Sequence, residues 1–176
     1  GGVATPLTLH EAHDTYPVWS RDGSKIAFAS DRYGNFDVWL MDADGGKATR
    51  LTYHSATDLP TSFSANDDAV LFSSARLDSI SNVQYPTRAQ PELYSVSVEG
   101  GMPRHLLSTP SLYGVQDRDG KRLAYSDWKG YENEWRKHDN SSFARDVWLL
   151  DADSGEHQRL TAFGHDDRQP VWSSDE

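Results

Sequence analysis

The stretch PVWSRDGSKIAFASDRYGNFDVWLMDADGGKATRLT, which runs from Pro17 to Thr52, decides the fold. It contains four short apolar or alternating runs separated by turn residues. These runs are Pro17–Ser20, Lys25–Ser30, Asp37–Asp42 and Ala48–Thr52. Between them, Asp22-Gly23 and Gly45-Gly46 supply residues that tolerate the positive φ of tight hairpin turns. The stretch therefore predicts four antiparallel β-strands joined by short connections.

The same pattern recurs along the chain. The second half of the stretch, residues 37–52, aligns without gaps with residues 92–107 and with residues 146–161. The first half recurs at residues 61–76, more weakly at residues 114–128, and begins again at Gln169. The last apolar position of each unit is a leucine, and these residues are Leu7, Leu51, Leu106 and Leu160, at intervals of 44, 55 and 54 residues. Self-similarity at such a period indicates a repeat architecture.

Four strands in every unit of about 40–50 residues are typical of a propeller blade. The sequence therefore predicts an all-β fold, a β-propeller fragment with about three four-stranded antiparallel blades and partial blades at both ends. The units are residues 1–8 (the end of a preceding blade), 9–52, 53–107 and 108–161 (three blades), and 162–176 (the start of a following blade). A Greek-key sandwich would not repeat its sequence. No segment has a sustained helical apolar period.

Large aromatic residues recur at equivalent strand positions of the units. These aromatic residues are Trp19, Trp39, Phe63, Tyr94, Trp148 and Trp172. We expect them to pack between adjacent blades, because burying large rings is how small sheets gain core area. Gln116 takes the corresponding place in the third unit, whose inner strand is accordingly the least regular.

Composition excludes several classes of function. Asp and Glu number 27 against 17 Lys and Arg, and the net charge of −10 disfavours nucleic acids and anionic membrane surfaces. The chain contains no cysteine, so disulfides and thiolate metal sites are absent. Its longest purely apolar runs, such as Val147–Leu150, are far shorter than the roughly 20 residues of a membrane span. We therefore expect no nucleic-acid partner and no membrane partner.

No catalytic or cofactor motif is present in the sequence. A G-x-S-x-G nucleophile turn and a Gly-rich phosphate loop are both missing. Histidines and aspartates recur on the inter-blade loops, but without the tight spacing of a metal site. These histidines are His10, His13, His54 and His165. We predict that this chain is not itself an enzyme and binds neither a cofactor nor a metal.

Long connections are predicted on one face of the propeller. The connections within residues 75–91 and 128–145 are extended, whereas the Asp-Gly and Gly-Gly turns on the opposite face stay short. Extended loops on a rigid scaffold commonly carry recognition, and aromatic and Arg side chains suit peptide or protein contacts. The residues predicted to bind are Arg32, Tyr33, Arg76, Arg88, Trp135, Arg136 and His138. The alternative is that these side chains anchor neighbouring blades or another domain.

The repeat resembles a known family. The pattern P-x-W-S-x-D-G-x-x-I-A-F-x-S-x-R-x-G-x-x-D-V-W, followed by D-G-G-x-x-x-x-L-T, is similar to the propeller repeat of TolB and its relatives, and spans Pro17–Thr52. The longer insertions in residues 72–101 and 130–151 resemble those of the N-terminal propeller of tricorn-type serine peptidases. This resemblance implies a peptidase parent whose catalytic residues lie downstream of Glu176. It also implies export, for example to the periplasm.

Three functions remain open on the sequence alone. The leading one is a non-catalytic propeller segment of a tricorn-like peptidase that gates or positions peptide or protein substrates for a separate protease domain. The rivals are a stand-alone TolB-like protein-interaction module and the propeller of a prolyl-oligopeptidase-type hydrolase. Because three blades leave open edges and apolar end faces, we also expect the isolated chain to self-associate.

Overall fold

The structure is a computed structural model that describes residues 3–78, 90–128, 144–162 and 165–173. Within these ranges the regular elements are twelve β-strands, and no helix is present. In chain order the strands are β1 (Asp14–Trp19), β2 (Lys25–Ser30), β3 (Asp37–Asp42), β4 (Thr49–Arg50), β5 (Asp58–Phe63), β6 (Ala69–Ser74), β7 (Glu92–Ser97), β8 (Arg104–Leu107), β9 (Ser111–Gln116), β10 (Arg122–Asp127), β11 (Val147–Asp151) and β12 (His157–Arg159). Accordingly, the described residues contain no helix long and apolar enough to cross a membrane.

The strands form three four-stranded sheets in the order β1-β2-β3-β4, β5-β6-β7-β8 and β9-β10-β11-β12. Every neighbouring pair within a sheet is antiparallel. We call these sheets blades 1, 2 and 3. The first strands of successive blades contact each other, β1 with β5 and β5 with β9, so they line the inner side of the array. The predicted all-β fold of about three four-stranded antiparallel blades is confirmed.

Successive side chains of a strand point to opposite faces of the sheet, so each blade has two packing faces. In blade 1, Ala27 and Leu40 point toward blade 2, where they pack with Phe72 and Val96 in one apolar cluster. Residues that point to the other face of the same blade 1 strands form a separate apolar cluster, which includes Phe28. Blades 2 and 3 pack through a further cluster of leucines and Tyr125. The core is therefore distributed between blades, as expected for stacked repeats.

The recurring inner aromatic residue packs backward, onto the preceding blade. Phe63 of blade 2 is only 2% exposed, because it lies in the cluster shared with blade 1. Trp172 follows blade 3 and donates its Nε1 hydrogen to the carbonyl of Val115, at 3.1 Å. Trp19 holds the same position in blade 1 but is 59% exposed, since the described residues place no complete blade in front of it. The expectation that Trp19 is buried is therefore wrong.

The inner strands are irregular at one repeated place. Tyr16 in β1 and Tyr113 in β9 have positive φ, 51° and 57°, and the register of each strand shifts just there. Blade 2 carries Pro60 at this position, and a proline ring fixes φ near −65°. Its register shift falls one place later, between Pro60 and Ser62. A bulge bends a strand and increases its twist, so this repeated feature shapes the inner edge of all three blades.

The three turns that follow the inner strands share one geometry. In each turn the first residue donates its N–H to the carbonyl five residues later, and the fourth residue has a left-handed φ. The residues paired by these bonds are Ser20 with Lys25, Ser64 with Ala69, and Asp117 with Arg122, each at 2.9 Å. The left-handed residues are Gly23, Asp67 and Gly120. Positions in one blade can therefore be compared directly with those in the next.

Residues 3–8 and 169–173, which lie in the segments assigned to partial blades, contain no strand in the structure. Among the described residues, neither segment has a neighbouring strand that could supply a hydrogen-bonding ladder. Both segments still pack on the end blades. Leu7 lies close to the turn at Gly45, and Trp172 lies under the guanidinium of Arg122 at 4.8 Å.

Candidate functional site

The second-to-third-strand loops and the blade-to-blade loops lie at one end of the blades, which we call the loop face. Residues 31–36 join β2 to β3, and residues 51–57 join β4 to β5. Asn35 connects these two loops, because its amide donates to the carbonyl of His54 at 2.9 Å and to that of Ala56 at 3.0 Å. The backbone N–H of Asp58 donates to the carbonyl of Phe36 at 2.8 Å. The loop face is thus fixed to the sheets at the junction of blades 1 and 2.

Arg32, predicted to bind, lies on this face as part of an ion pair. Its Nη2 is 2.9 Å from Oδ2 of Asp14, and both side chains are 13% exposed. The guanidinium also lies over the rings of Trp39 and Phe28, at 4.7 and 5.6 Å. One face of the cation is therefore covered by aromatic carbon while its charge is neutralised by Asp14.

Arg76, also predicted to bind, repeats the arrangement one blade later. Its Nε donates to Oδ1 of Asp58 at 3.1 Å, and its Nη2 contacts the other carboxylate oxygen. The guanidinium lies over Phe72 at 5.0 Å and over Tyr94 at 5.7 Å. Asp58 is fully buried, so this fork-to-fork pair compensates a charge removed from water.

A second series of pairs between an acidic and a basic side chain links the beginning of the third strand to the fourth strand in each blade. Its members are Asp37 with Arg50 at 2.7 Å, Glu92 with His105 at 3.2 Å, and Asp146 with Arg159 at 2.8 Å. The constant spacing of 13 residues at repeated positions was a signal for these pairs that our sequence interpretation missed. Burial raises the pKa of Asp37 above its ordinary value of 3.8 despite the Arg50 guanidinium, and the carboxylate of Asp58 raises it further.

Tyr33, the third predicted binding residue described by the structure, belongs to a stack of four side chains in which the two tyrosines are exposed and Trp39 is buried. Its ring lies parallel to that of Trp39 at 5.9 Å. The guanidinium of Arg50 lies over the Tyr33 ring at 4.8 Å and over the Tyr53 ring at 4.6 Å. Tyr33 and Tyr53 are 68% and 70% exposed. We call Trp39, Tyr33, Arg50 and Tyr53 the aromatic stack.

The other predicted binding residues, Arg88, Trp135, Arg136 and His138, lie outside the described residues. Their role in binding stays a prediction.

A groove follows the inner edge of the blades. Its volume is about 320 Å³, and residues of β1, β5, β9 and the 169–171 segment line it. Tyrosine and proline side chains contribute much of the lining, namely Tyr16, Pro17, Pro60, Tyr113 and Pro170. Aromatic and proline surfaces in a narrow groove suit an extended chain, whose backbone and apolar side chains they can contact along its length.

The histidines of the loop face have local partners. The ring of His13 is 3.0 Å from Oδ2 of Asp31, and Nδ1 of His54 accepts the N–H of Ala56 at 3.0 Å. Across the described ranges, no three His, Asp or Glu side chains are grouped so that they could hold a metal ion. The described part of this face therefore offers ion pairs and aromatic surface for contact.

Comparison with solved structures identifies the same fold. A protein assigned as TolB in Agrobacterium tumefaciens is 21% identical, with a TM-score of 0.63 over 88% of this chain and 51% of that one. The propeller domain of the Trilobed protease from Pyrococcus furiosus is 14% identical, with a TM-score of 0.53 over 86% and 44%. A tricorn protease is 14% identical, with a TM-score of 0.55 over 92% and 14%. These identities establish the fold alone.

The chain spans about half or less of the length of these proteins. No curated protein matches it in sequence. The family model that describes the tricorn protease N-terminal β-propeller domain, a non-catalytic propeller, matches residues 1–176. This match covers all three blades together with the flanking segments, and it agrees with the resemblance seen in the repeat. The chain belongs to the family of tricorn protease N-terminal β-propeller domains.

Proposed function

We propose that this chain is the propeller segment of a tricorn-like peptidase, and that it positions peptide or protein substrates for a protease domain elsewhere in the same protein. The catalytic residues belong to that other domain in this proposal. Export of the protein, for example to the periplasm, is part of the proposal and rests on the sequence resemblance.

The observation that carries the proposal is the aromatic stack. Tyr33 and Tyr53 stay largely exposed, yet both rings contact the guanidinium of Arg50, which is itself paired with Asp37. Rigid Tyr side chains provide contact area with little loss of conformational entropy on binding, and Tyr and Arg are enriched where binding energy concentrates. The stack therefore supports binding of a polypeptide to the loop face.

The groove along the inner strands supports the same role. The groove is bordered by Tyr16 and Tyr113, and its length follows successive blades. A peptide that lies in the groove would contact several blades at once. Such a peptide would remain extended, which is the conformation that proteases require at their scissile bonds.

The experiment that tests this function measures binding of fluorescently labelled, unstructured peptides by anisotropy. The Tyr33→Ala/Tyr53→Ala double variant is expected to weaken binding about tenfold or more, as for loss of an aromatic hot spot. The control is Met102→Ala, because Met102 is more exposed than either tyrosine and lies beside the Gly-Gly turn of the opposite face. Equal affinity of the double variant and the unaltered chain would overturn the proposal.

Assays of the complete protein distinguish the proposed function from its rivals. If the propeller positions substrates, the double variant raises KM for polypeptide substrates and leaves cleavage of a small chromogenic substrate unchanged. A stand-alone interaction module predicts that the complete protein has no protease activity. A prolyl-oligopeptidase-type parent predicts cleavage after proline, which peptide mapping of the products would reveal.

A further inference from the structure

A carboxylate joins blades 1 and 2 at the face opposite the loop face. Oδ1 of Asp67, in the β5–β6 turn, accepts the backbone N–H of Arg21 at 2.8 Å. Its Oδ2 accepts the N–H of Asp22 at 3.0 Å. Two consecutive N–H groups of the blade 1 turn thus bind the two oxygens of one carboxylate from the next blade.

The corresponding carboxylate is missing between blades 2 and 3. The turn positions equivalent to Arg21 and Asp22 are Ala65 and Asn66, and the position equivalent to Asp67 is Gly120. The N–H of Ala65 donates to Oε1 of Gln116 at 3.2 Å. The N–H of Asn66 has no acceptor among the residues that the structure describes. The blade 2 turn therefore presents one free backbone donor, the N–H of Asn66, where the equivalent N–H in blade 1 binds a carboxylate.

A cavity of about 440 Å³ lies at this place, between blades 2 and 3. Ala65, Asn66 and Gly120 all line it. Arg104 and Arg118 also line it, and within the described ranges neither guanidinium has a hydrogen-bond or ion-pair partner. These cations therefore border the space in which a carboxylate is absent.

Arg104 strengthens the comparison between the two junctions. Thr49 occupies its position in blade 1, because Arg104 pairs with Ser95 in β7 as Thr49 pairs with Leu40 in β3. The junction that contains its own carboxylate thus has a neutral threonine. The junction that lacks the carboxylate has an arginine instead, which is the charge that an external anion would need.

Two carboxylates also line the cavity, and they restrict the ligand. Asp68 accepts hydrogen bonds from Oγ of Ser64 at 2.8 Å and from Nδ2 of Asn66 at 2.9 Å. Asp119 lies at the exposed rim. With two arginines and two aspartates the lining has little net charge, which disfavours a phosphate or another multiply charged anion. A single carboxylate next to a hydrogen-bond donor, as at the C-terminus of a peptide, matches this lining better.

We propose that the cavity between blades 2 and 3 binds a carboxylate, supplied by a peptide C-terminus or by a small carboxylic acid. The carboxylate takes the place that Asp67 occupies at the preceding junction, on the N–H of Asn66 and beside Arg104 and Arg118. This site lies on the face opposite the aromatic stack, and it does not depend on the function proposed for the loop face.

The test is a titration of the 176-residue chain followed by ¹H–¹⁵N NMR. The probes are N-acetylglycylglycine, its C-terminal amide and sodium acetate. The two carboxylates are expected to shift the amide signals of Ala65 and Asn66 in a saturable manner, and the uncharged amide is not. Tighter binding of the dipeptide than of acetate identifies a peptide C-terminus as the ligand, and equal binding identifies a small acid. Absence of saturable shifts, or equal shifts with the amide, would overturn the proposal.

Substitutions distinguish the site from general charge effects. Gly120→Asp is expected to supply the missing carboxylate from within the chain and to abolish binding, since Asp67 shows that aspartate accepts this left-handed position. The matched control is Gly23→Asp, which places the same residue at the same turn position of blade 1, with open space around it. Retained binding in Gly120→Asp, or loss in both variants, would contradict the assignment.

A second pair of variants tests the site even if Gly120→Asp does not fold. Arg104→Gln and Arg118→Gln change exposed side chains, and each is expected to weaken binding of the dipeptide about tenfold, which corresponds to about 1.4 kcal/mol. Circular dichroism checks that the β structure is kept. Unchanged affinity in both folded variants would also overturn the site.

Discussion

Arg21 of blade 1 donates a hydrogen bond to the backbone carbonyl of Asp117 in blade 3, with 3.0 Å between Nη2 and the oxygen. Its guanidinium also contacts the carbonyl of Gln116. The side chain therefore passes over the turn of blade 2 and joins two blades that are not neighbours in sequence. Because stacked repeats normally interact only with the adjacent unit, this contact is an addition to the usual pattern.

Replacement of Arg21 by Ala should destabilise the chain by about 1 kcal/mol, the typical net contribution of an exposed side-chain hydrogen bond. The measurement is the free energy of unfolding in urea. Arg118→Ala is the matched control, since Arg118 occupies the same turn position in blade 3 and has no such contact among the described residues. If both variants unfold at the same urea concentration, Arg21 does not join the blades.

Arg76→Met should be far more destabilising, by about 3–5 kcal/mol, because it leaves the fully buried carboxylate of Asp58 without its counter-charge. Lys25→Met removes one partner of the exposed pair with Asp42, and should cost less than about 1 kcal/mol. Urea unfolding of both variants tests the contrast. A small cost at Arg76 would mean that its guanidinium is available for a ligand, as the sequence prediction of a binding residue required.

Gly114→Ala should destabilise the packing between blades 2 and 3, because the added methyl group overpacks their interface. A Cβ atom at residue 114 would lie 2.5 Å from Cδ1 of Leu93, closer than carbon atoms can approach. Overpacking of this kind costs about 1–3 kcal/mol. In a Leu93→Ala background the same change should cost much less, since the clash is gone. A double-mutant cycle of unfolding free energies measures this coupling, and additive costs would show that the clash is relieved elsewhere.

The pH dependence of stability should have opposite signs at Asp37 and Asp22. The raised pKa of Asp37 means that the folded state holds its proton more tightly than the unfolded state. The stability that Asp37 contributes therefore falls as pH rises from 3.8 through its folded pKa. Hydrogen bonds from Ser20 and Ser24 lower the pKa of Asp22 to about 2. The contribution of Asp22 is therefore present above pH 3.8 and is lost as pH falls toward 2.

The measurement for this prediction is urea unfolding between acidic and neutral pH, with Asp37→Asn and Asp22→Asn compared with the unaltered chain. The free energy of unfolding of each variant is compared with that of the unaltered chain. This difference should shrink with rising pH for Asp37→Asn and grow for Asp22→Asn. Parallel curves for the two variants would contradict the assigned pKa directions.

Self-association of the isolated chain, which we propose from its open end faces, should depend on Trp19. This ring is 59% exposed, whereas the equivalent Phe63 is buried between two blades. Trp19→Ser should lower the average mass measured by light scattering, while Tyr53→Ser, which changes an even more exposed aromatic residue on the loop face, should not. A folded monomer for the unaltered chain at micromolar concentration would refute the proposal.

The sequence predicted what local chemistry determines. Turn residues such as Gly23 and Gly45 adopt the positive φ that was expected of them, and the β2 and β3 strands have the predicted bounds. Whether residues 3–8 pair with another strand could not be predicted in this way, because a ladder depends on a partner strand that a local pattern does not reveal.

The candidate site was less accessible to prediction from sequence. The pattern placed Arg32, Tyr33 and Arg76 on one face, but it did not show that Asp14 and Asp58 would pair with the two arginines. The cavity beside Arg104 was not predicted either. It depends on how two blades are placed against each other, and on the exchange of an aspartate for a glycine at turn positions more than 50 residues apart.

The backward packing of the inner aromatic residue gives the chain a direction during its synthesis. The apolar face of blade 1 is closed by Phe63, which belongs to the first strand of the next unit, and Trp172 covers blade 3 in the same way. On the ribosome, blade 1 must therefore wait for the first strand of blade 2 to emerge before its own core is shielded from water. The interval between successive blades then sets how long each newly made apolar surface is accessible to chaperones.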